Sequence, residues 1–342
     1  MTSLRVSPKP DSSTLVVMKL RHGWKPNLGV VEMVGRPVTR VRRTFLQTFP
    51  HRRSLLTLLI GVVLCWLPPS ALAQQELSVP RPDGHTTPLL LYPAVGADSA
   101  CAPLAVISHG AGSSEYGYRY LAEAMSRLGY TTVVMGHRES GMPALRADMR
   151  EKGLMQGLRA LVADPAAEQA RLLDVGAALK WADGQCAAPF RVLLGHSMGA
   201  ETVMLEAGAK NMIGVTSPPA GQDRFDAYVA LSPEGPGIVF PKDAWSGIRK
   251  PILILTGTRD ESLKGGPQAR LIPWHNLPGS AGKCQWMGVI DGATHMNFAG
   301  NGPGYEPVAV TATQTITAFL ESVNKKFCAL PPSTGQMKLQ GK

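Results

Sequence analysis

The sequence predicts an open, mostly parallel β-sheet with helices on both faces, and three observations carry that prediction. Seven short apolar or β-branched runs recur along the chain, and most lack polar alternation, as expected of strands covered on both faces. Helical patterns lie between them, which is the alternation of a parallel sheet. Finally, one apolar run breaks off abruptly in Gly195-His196-Ser197-Met198-Gly199, two glycines bracketing a serine at the end of a strand.

The runs, in order, are TTPLLLY (86–92), PLAVISH (103–109), YTTVVMG (130–136), FRVLLG (190–195), DAYVALS (226–232), PILILTG (251–257) and QWMGVID (285–291). Residues 118–128 supply one helix. Asp164 and Pro165 read as a cap and a first-turn proline before a second helix, with Leu172, Val175 and Leu179 on one stripe. A C-terminal helix over 306–326 carries Val310, Ile316, Phe319 and Leu320. Residues 137–189 are too long for a single crossover, and 143–162 form an additional helix candidate. That segment is either more core or a wall and partial lid beside a site. The tail 329–342 is expected to be disordered.

Charge narrows the function classes. The formal net charge is +10, from 35 Lys/Arg against 25 Asp/Glu. Residues 1–73 hold 11 of the basic residues and 2 of the acidic ones, leaving 24 against 23 in the other 269. A nucleic-acid groove would put the excess on the folded part, so no nucleic-acid partner is expected. The N-terminal excess fits export instead. Arg52 and Arg53 precede an apolar run from Leu55 to Leu67, and Ala71-Leu72-Ala73 closes it with a small-x-small cleavage signal. The run falls short of the about 20 residues that span a bilayer, so no stable anchor is expected after cleavage, and the location is secreted or periplasmic. Either the chain starts downstream, near Met33, or the region before the signal is unusually long. The folded domain is expected over 74–328. It retains four cysteines, Cys101, Cys186, Cys284 and Cys328, an even number that suggests two disulfides in an exported protein.

Parallel sheets bind ligands at the carboxyl ends of their strands, so the residues just after each strand matter most. His109-Gly110-Ala111-Gly112 follows PLAVIS, the Gly195–Gly199 turn follows RVLL, Asp260 follows PILILTG, and His295 follows MGVIDGAT. A serine hydroxyl needs a base to accept its proton, and a histidine needs an acid to orient it. Ser197, His295 and Asp260 are the candidates, in the chain order Ser, Asp, His. Met198 N–H, at a helix start, and Ala111 N–H, in the small-residue loop, are the candidate oxyanion donors. His137 is the rival base. Asp291, only four residues before His295, reads as a backbone anchor rather than the acid. His109 and His196 read as backbone-shaping or rim residues, while His275, Trp245, Tyr116 and Tyr118 either line a pocket or pack. No His/Asp/Glu cluster has metal-ligand spacing, and neither metal nor cofactor is expected.

The motifs ISHGAG, GHSMGAE, ALSPEGPG, LTGTRDE and DGATHMNF, spread from Pro103 to Phe298, resemble the secreted bacterial α/β-hydrolases labelled dienelactone-hydrolase-like or cutinase/lipase-like. The resemblance implies an α/β-hydrolase fold and a serine esterase working through an acyl-enzyme. True dienelactone hydrolases use a cysteine nucleophile, and here the elbow holds Ser197, so the lactone substrate does not carry over. In this fold the strands after Cys101 and Cys186 are neighbours, which implies a Cys101–Cys186 bond. Cys284 and Cys328 meet at the same edge of the sheet, which implies the second. The expected substrate is a small-molecule or polymeric ester. Amide or thioester cleavage on the same residues, or a catalytically silent binding protein of the same fold, are the alternatives.

Overall fold

All seven apolar runs form strands in the computed structural model, which describes residues 74–96, 101–216, 224–279 and 284–342. Two further strands flank them. In chain order the strands are β1 (Gln75–Pro80), β2 (Thr86–Tyr92), β3 (Leu104–Ser108), β4 (Thr131–Met135), β5 (Arg191–His196), β6 (Ala227–Leu231), β7 (Ile252–Arg259), β8 (Gln285–Thr294) and β9 (Met337–Gly341). The helices are α1 (Arg119–Arg127), α2 (Met142–Lys152), α3 (Leu154–Val162), α4 (Pro165–Gln185), α5 (Met198–Glu206), α6 (Ile272–His275) and α7 (Tyr305–Asn324). The predicted signal segment lies outside the described residues. No helix among those described is long and apolar enough to cross a membrane.

The nine strands make one sheet in the order β1-β2-β4-β3-β5-β6-β7-β8-β9. From β4 to β8 neighbours run parallel, whereas β1, β2 and β9 pair antiparallel at the edges. The central strands β3 and β6 are buried at every position, as their continuous apolar sequences require. One apolar cluster joins α4 and α5 to one face, and a second joins α1 and α7 to the other. Each fully buried large aliphatic or aromatic side chain in them contributes about 1.5–3 kcal/mol of transfer free energy.

The helix signals act as their chemistry dictates. Asp164 Oδ1 accepts the Ala166 N–H at 2.9 Å, capping α4, and Pro165 occupies its first position. Leu172, Val175 and Leu179 are all buried. In α7 Ile316, Phe319 and Leu320 are buried as expected, but Val310 is 54 % exposed and Val308 and Ala312 continue the buried face in its place. The single helix expected over 143–162 is two, broken at Gly153, whose φ of 81° a helix cannot continue. The two then fold back on each other because Gly157 lacks a Cβ that would meet the Met149 backbone.

The tail also departs from expectation. Instead of disorder, 329–342 carries β9, with Met337 and Leu339 buried, Lys338 and Gln340 exposed, and Lys342 Nζ 4.8 Å from the centre of the Trp274 ring. A two-residue apolar alternation is too short to read as a strand until a sheet edge receives it. Cys284 and Cys328 form a disulfide, Cα to Cα 5.0 Å. Cys101 and Cys186, ahead of the neighbouring strands β3 and β5, meet as hydrogen-bonded side chains rather than as the covalent bridge that was expected.

Candidate active site

The chain passes from β3 to β4 on one side and from β5 to β6 on the other, so the sheet order reverses between β3 and β5. At such a switch point the loops after the two strands diverge and leave a crevice. Ala111 follows β3 and Ser197 follows β5, at this crevice.

Ser197 sits at φ 55° and ψ −123°, a region that non-glycine residues rarely adopt. Its neighbours explain how that strain is tolerated. A Cβ on Gly195 would run into the Gly199 carbonyl, and a Cβ on Gly199 would run into the Ser108 carbonyl. The two glycines therefore let strand, turn and helix pack backbone to backbone, while the Ser197 N–H is tied to the Leu231 carbonyl at 3.0 Å. The turn projects the serine side chain.

His295 Nε2 lies 3.0 Å from Ser197 Oγ, and His295 Nδ1 lies 3.0 Å from Asp260 Oδ1. Asp260 is fully buried and also accepts the Thr256 hydroxyl at 2.7 Å. Burial pushes its carboxyl up, but the hydrogen bond with His295 and the Arg270 charge outweigh that and hold it at about 2. Asp291 is elsewhere. It is exposed, and it accepts the Thr258 hydroxyl at 3.0 Å rather than anchoring backbone amides.

Met198 N–H is the first amide of α5, and helix geometry leaves it without an intrahelical acceptor. Ala111 N–H has no acceptor among the described residues. Its loop presses against the serine: a Cβ on Gly110 would stand 3.2 Å from Ser197 Cβ.

Two features of this site were not legible in the sequence, and a third decides between alternatives that the sequence left open. Arg270, buried to 2 %, stands 3.2 Å from Asp260 Oδ1 and 3.1 Å from His295 Nδ1, and donates to the Ser232 and Glu261 carbonyls. Tyr118 is buried, and its hydroxyl is turned into the site. Its hydroxyl accepts the Gly110 N–H at 3.0 Å and lies 2.7 Å from His196 Nδ1, while His196 Nε2 lies 3.1 Å from the His295 carbonyl. Burial holds His196 well below the usual imidazole range, so it is neutral. A carbonyl can only accept, so the proton is on Nε2 and Tyr118 donates to Nδ1. This wire ties the Ala111 loop, the elbow and the base together. Last, α2 and α3 form a wall: Leu145 abuts Gly112, and Arg159 Nη2 donates to the Leu263 carbonyl at 2.6 Å, beyond β7.

A cavity of about 810 Å³ opens beside the Ala111 loop, walled by His109, Gly112, Glu115, Tyr116, His137 and Met142. Ser197 is not among its walls. Of the remaining candidates, Trp245 is core, His275 is exposed, and His137 is buried away from Ser197. Among the described residues no group of three His, Cys, Asp or Glu side chains could hold a metal.

No protein-family model and no curated protein matches the chain by sequence. Solved structures do resemble it. A candidate dienelactone hydrolase of Klebsiella pneumoniae gives a TM-score of 0.51 at 18 % identity, over 73 % of this chain and 98 % of its own. An esterase of Pyrococcus furiosus gives 0.49 at 14 % identity, over 73 % of this chain and 90 % of its own. An α/β serine hydrolase without a lid from Xanthomonas campestris gives 0.42 at 16 %, over 75 % and 97 %. Strand order, parallel core and the first of these likenesses agree: the chain has the α/β-hydrolase fold.

Proposed function

We propose that the protein is an exported serine hydrolase that cleaves carboxylic esters through an acyl-enzyme. The observation that carries this reading is the pair of 3.0 Å contacts linking Ser197 Oγ, His295 and Asp260 on a serine held at φ 55°. Such a turn costs on the order of 1–3 kcal/mol, and presenting a nucleophile gives it a purpose.

In this reading Ser197 Oγ attacks the ester carbonyl carbon as its proton passes to His295 Nε2. Asp260, ionised at any ordinary pH, accepts the Nδ1–H and stabilises the imidazolium. The carbonyl oxygen, now an oxyanion, accepts the Met198 and Ala111 N–H groups. Collapse expels the alcohol with the proton from His295. Water, deprotonated by the same imidazole, then releases the acid and restores Ser197. His295 reaches the serine from the β8 side and must stand by the leaving oxygen. The cavity of about 810 Å³ lies on the opposite, β4 side, and suits the acyl arm. The Cys284–Cys328 disulfide is in keeping with export, and an oxidising compartment would close Cys101 onto Cys186.

The experiment is labelling by a fluorophosphonate probe, with hydrolysis of p-nitrophenyl esters of increasing acyl length against matched anilides and thioesters. Wild type is expected to label and to cleave esters, with Ser197→Ala doing neither. Equal hydrolysis by Ser197→Ala overturns the reading, and a preference for anilides or thioesters redirects it. Non-reducing peptide mapping of the exported chain tests both disulfides and a start at Gln74.

A further inference from the structure

A second Ser–His–Asp relay lies behind the first, wholly buried. Ser108 Oγ is 2.8 Å from His137 Nε2, and His137 Nδ1 is 2.8 Å from Asp174 Oδ2. None of the three is more than 1 % exposed. Burial keeps His137 neutral, so its Nδ1–H donates to the Asp174 carboxylate and its Nε2 accepts the Ser108 hydroxyl. Asp174 also accepts from Thr87 Oγ1 at 2.5 Å and from Arg81 Nη1 at 3.1 Å. The proton arrangement is that of Ser197, His295 and Asp260, but Ser108 has no access to solvent and takes a further hydrogen bond from Arg171 Nη1 at 3.3 Å. It is not a second nucleophile.

What this relay touches gives it a different role. Arg171 Nη1 donates to the His109 carbonyl at 2.7 Å, and its Nε donates to Ser140 Oγ at 2.8 Å. The His137 N–H donates to His109 Nε2 at 3.0 Å, and the Gly112 N–H donates to the Ser140 carbonyl at 2.8 Å. The Ser108 carbonyl, in turn, is the surface on which Gly199 of the elbow packs. Anchored by Thr87 and Arg81 on Asp174 and by Ser140 on Arg171, the network reaches residues 108–112 and the turn that carries Ser197.

We propose that Ser108, His137, Asp174 and Arg171 are positioning residues that hold the Ala111 N–H where the oxyanion forms. This rests on the ester-hydrolase reading above. A backbone donor stabilises a transition state only if it is already aimed there, because reorganising it would consume the gain. The Ala111 loop is flanked by Gly110 and by Gly112 at φ 76°, so its own sequence does not fix it. A network whose members are each left unpaired by any movement does fix it.

The test uses Ser108→Ala and Asp174→Asn, with kcat, KM and the inhibition constant of an alkylboronic acid, which mimics the tetrahedral oxyanion. Leu172→Ala, buried in α4 outside the relay, serves as the control for lost stability. In both relay variants kcat is expected to fall about 10- to 100-fold, less than the loss of an oxyanion donor outright. KM should stay within about threefold, and boronate affinity should fall in parallel with kcat. Leu172→Ala should lower Tm and leave kcat unchanged at 25 °C. Relay variants with kcat near wild type, or with lowered kcat and unchanged boronate affinity, overturn the proposal. If Asp174→Asn fails to fold, Ser108→Ala, which removes one oxygen, decides. Failure of the underlying reading shows separately, as ester hydrolysis that survives Ser197→Ala.

Discussion

Two Ser–His–Asp relays stand on adjacent parallel strands of this molecule, and the same three side chains sit in different surroundings in each. Ser108 ends β3 within the regular strand, whereas Ser197 follows β5 in a strained turn with positive φ. His295 keeps 28 % of its side chain exposed and His137 keeps 1 %. The acids diverge as well. Asp260 is drawn down to about 2, because His295 and Arg270 outweigh its burial, while burial raises Asp174 to about 6 against the pull of Thr87 and Arg81. Distances between three side chains thus do not make a nucleophile. Access, backbone strain and a more acidic carboxyl are what set the Ser197 relay apart.

The sharpest way to break the comparison is to remove each serine hydroxyl. Ser197→Ala should lower ester turnover by about 10⁴-fold or more and abolish fluorophosphonate labelling. Ser108→Ala should still label, more slowly. A Ser108→Ala protein that no longer labels while folded would mean that the buried serine is the reactive one.

Next in size is the acid. Asp260→Asn should lower kcat by about 10³- to 10⁴-fold near neutral pH with the fold retained, because the amide no longer favours the Nδ1–H tautomer. Asp291→Asn, which loses an exposed charge but keeps an oxygen to accept the Thr258 hydroxyl, should leave kcat unchanged and shift stability by less than about 1 kcal/mol. Steady-state kinetics and melting curves on both variants check this, and a dead but folded Asp291→Asn would reassign the acid.

Tyr118→Phe tests the wire that links the two regions through Gly110 and His196. It leaves a buried N–H and a ring nitrogen without partners, at a cost of about 1–3 kcal/mol. Turnover is expected to fall about tenfold as the loop, elbow and base loosen together. Thermal denaturation together with kcat reads both, and unchanged values for each would show that the wire holds nothing.

The smallest effect is on stability against pH, and here the two acids have opposite signs. Asp260, with its folded value near 2 against the usual 3.8, adds stability above pH 4 that is lost as pH falls toward 2. Asp174, raised to about 6, binds its proton more tightly when folded, so its contribution falls as pH rises from about 4 to 6. These amount to about 2 kcal/mol for Asp260 and about 3 kcal/mol for Asp174. Glu168, raised to about 7 by burial against the pull of Arg171, declines over an overlapping range. The difference between wild-type and Asp174→Asn denaturation curves isolates Asp174, and the stability of wild type relative to the variant should fall between pH 4 and 6. The advantage of wild type over Asp260→Asn should be constant above pH 4 and shrink as pH falls toward 2. Parallel curves for the two variants would remove the electrostatic half of the comparison.

The sequence by itself determined the parallel core and which residues would meet at the candidate outer site. Apolar runs made strands because a two-sided burial leaves no room for polar alternation, and Gly195 and Gly199 marked the turn because only glycine tolerates those backbone contacts. Ser197, Asp260 and His295 were legible for the same reason: each directly follows a strand, and strand ends are read locally. Tertiary structure decided the rest. Arg270 meets Asp260 from a loop beyond β7, and Tyr118 reaches His196 across 78 residues, while Asp174 joins His137 from α4, 37 residues on. A buried polar residue within an apolar stripe signals only that it must find a partner. Which partner depends on the packing of distant elements, and no local period records that. The edges followed the same rule: β1 and β9 carry few buried side chains of their own, and they became strands because β2 and β8 offered unpaired backbone for them to meet.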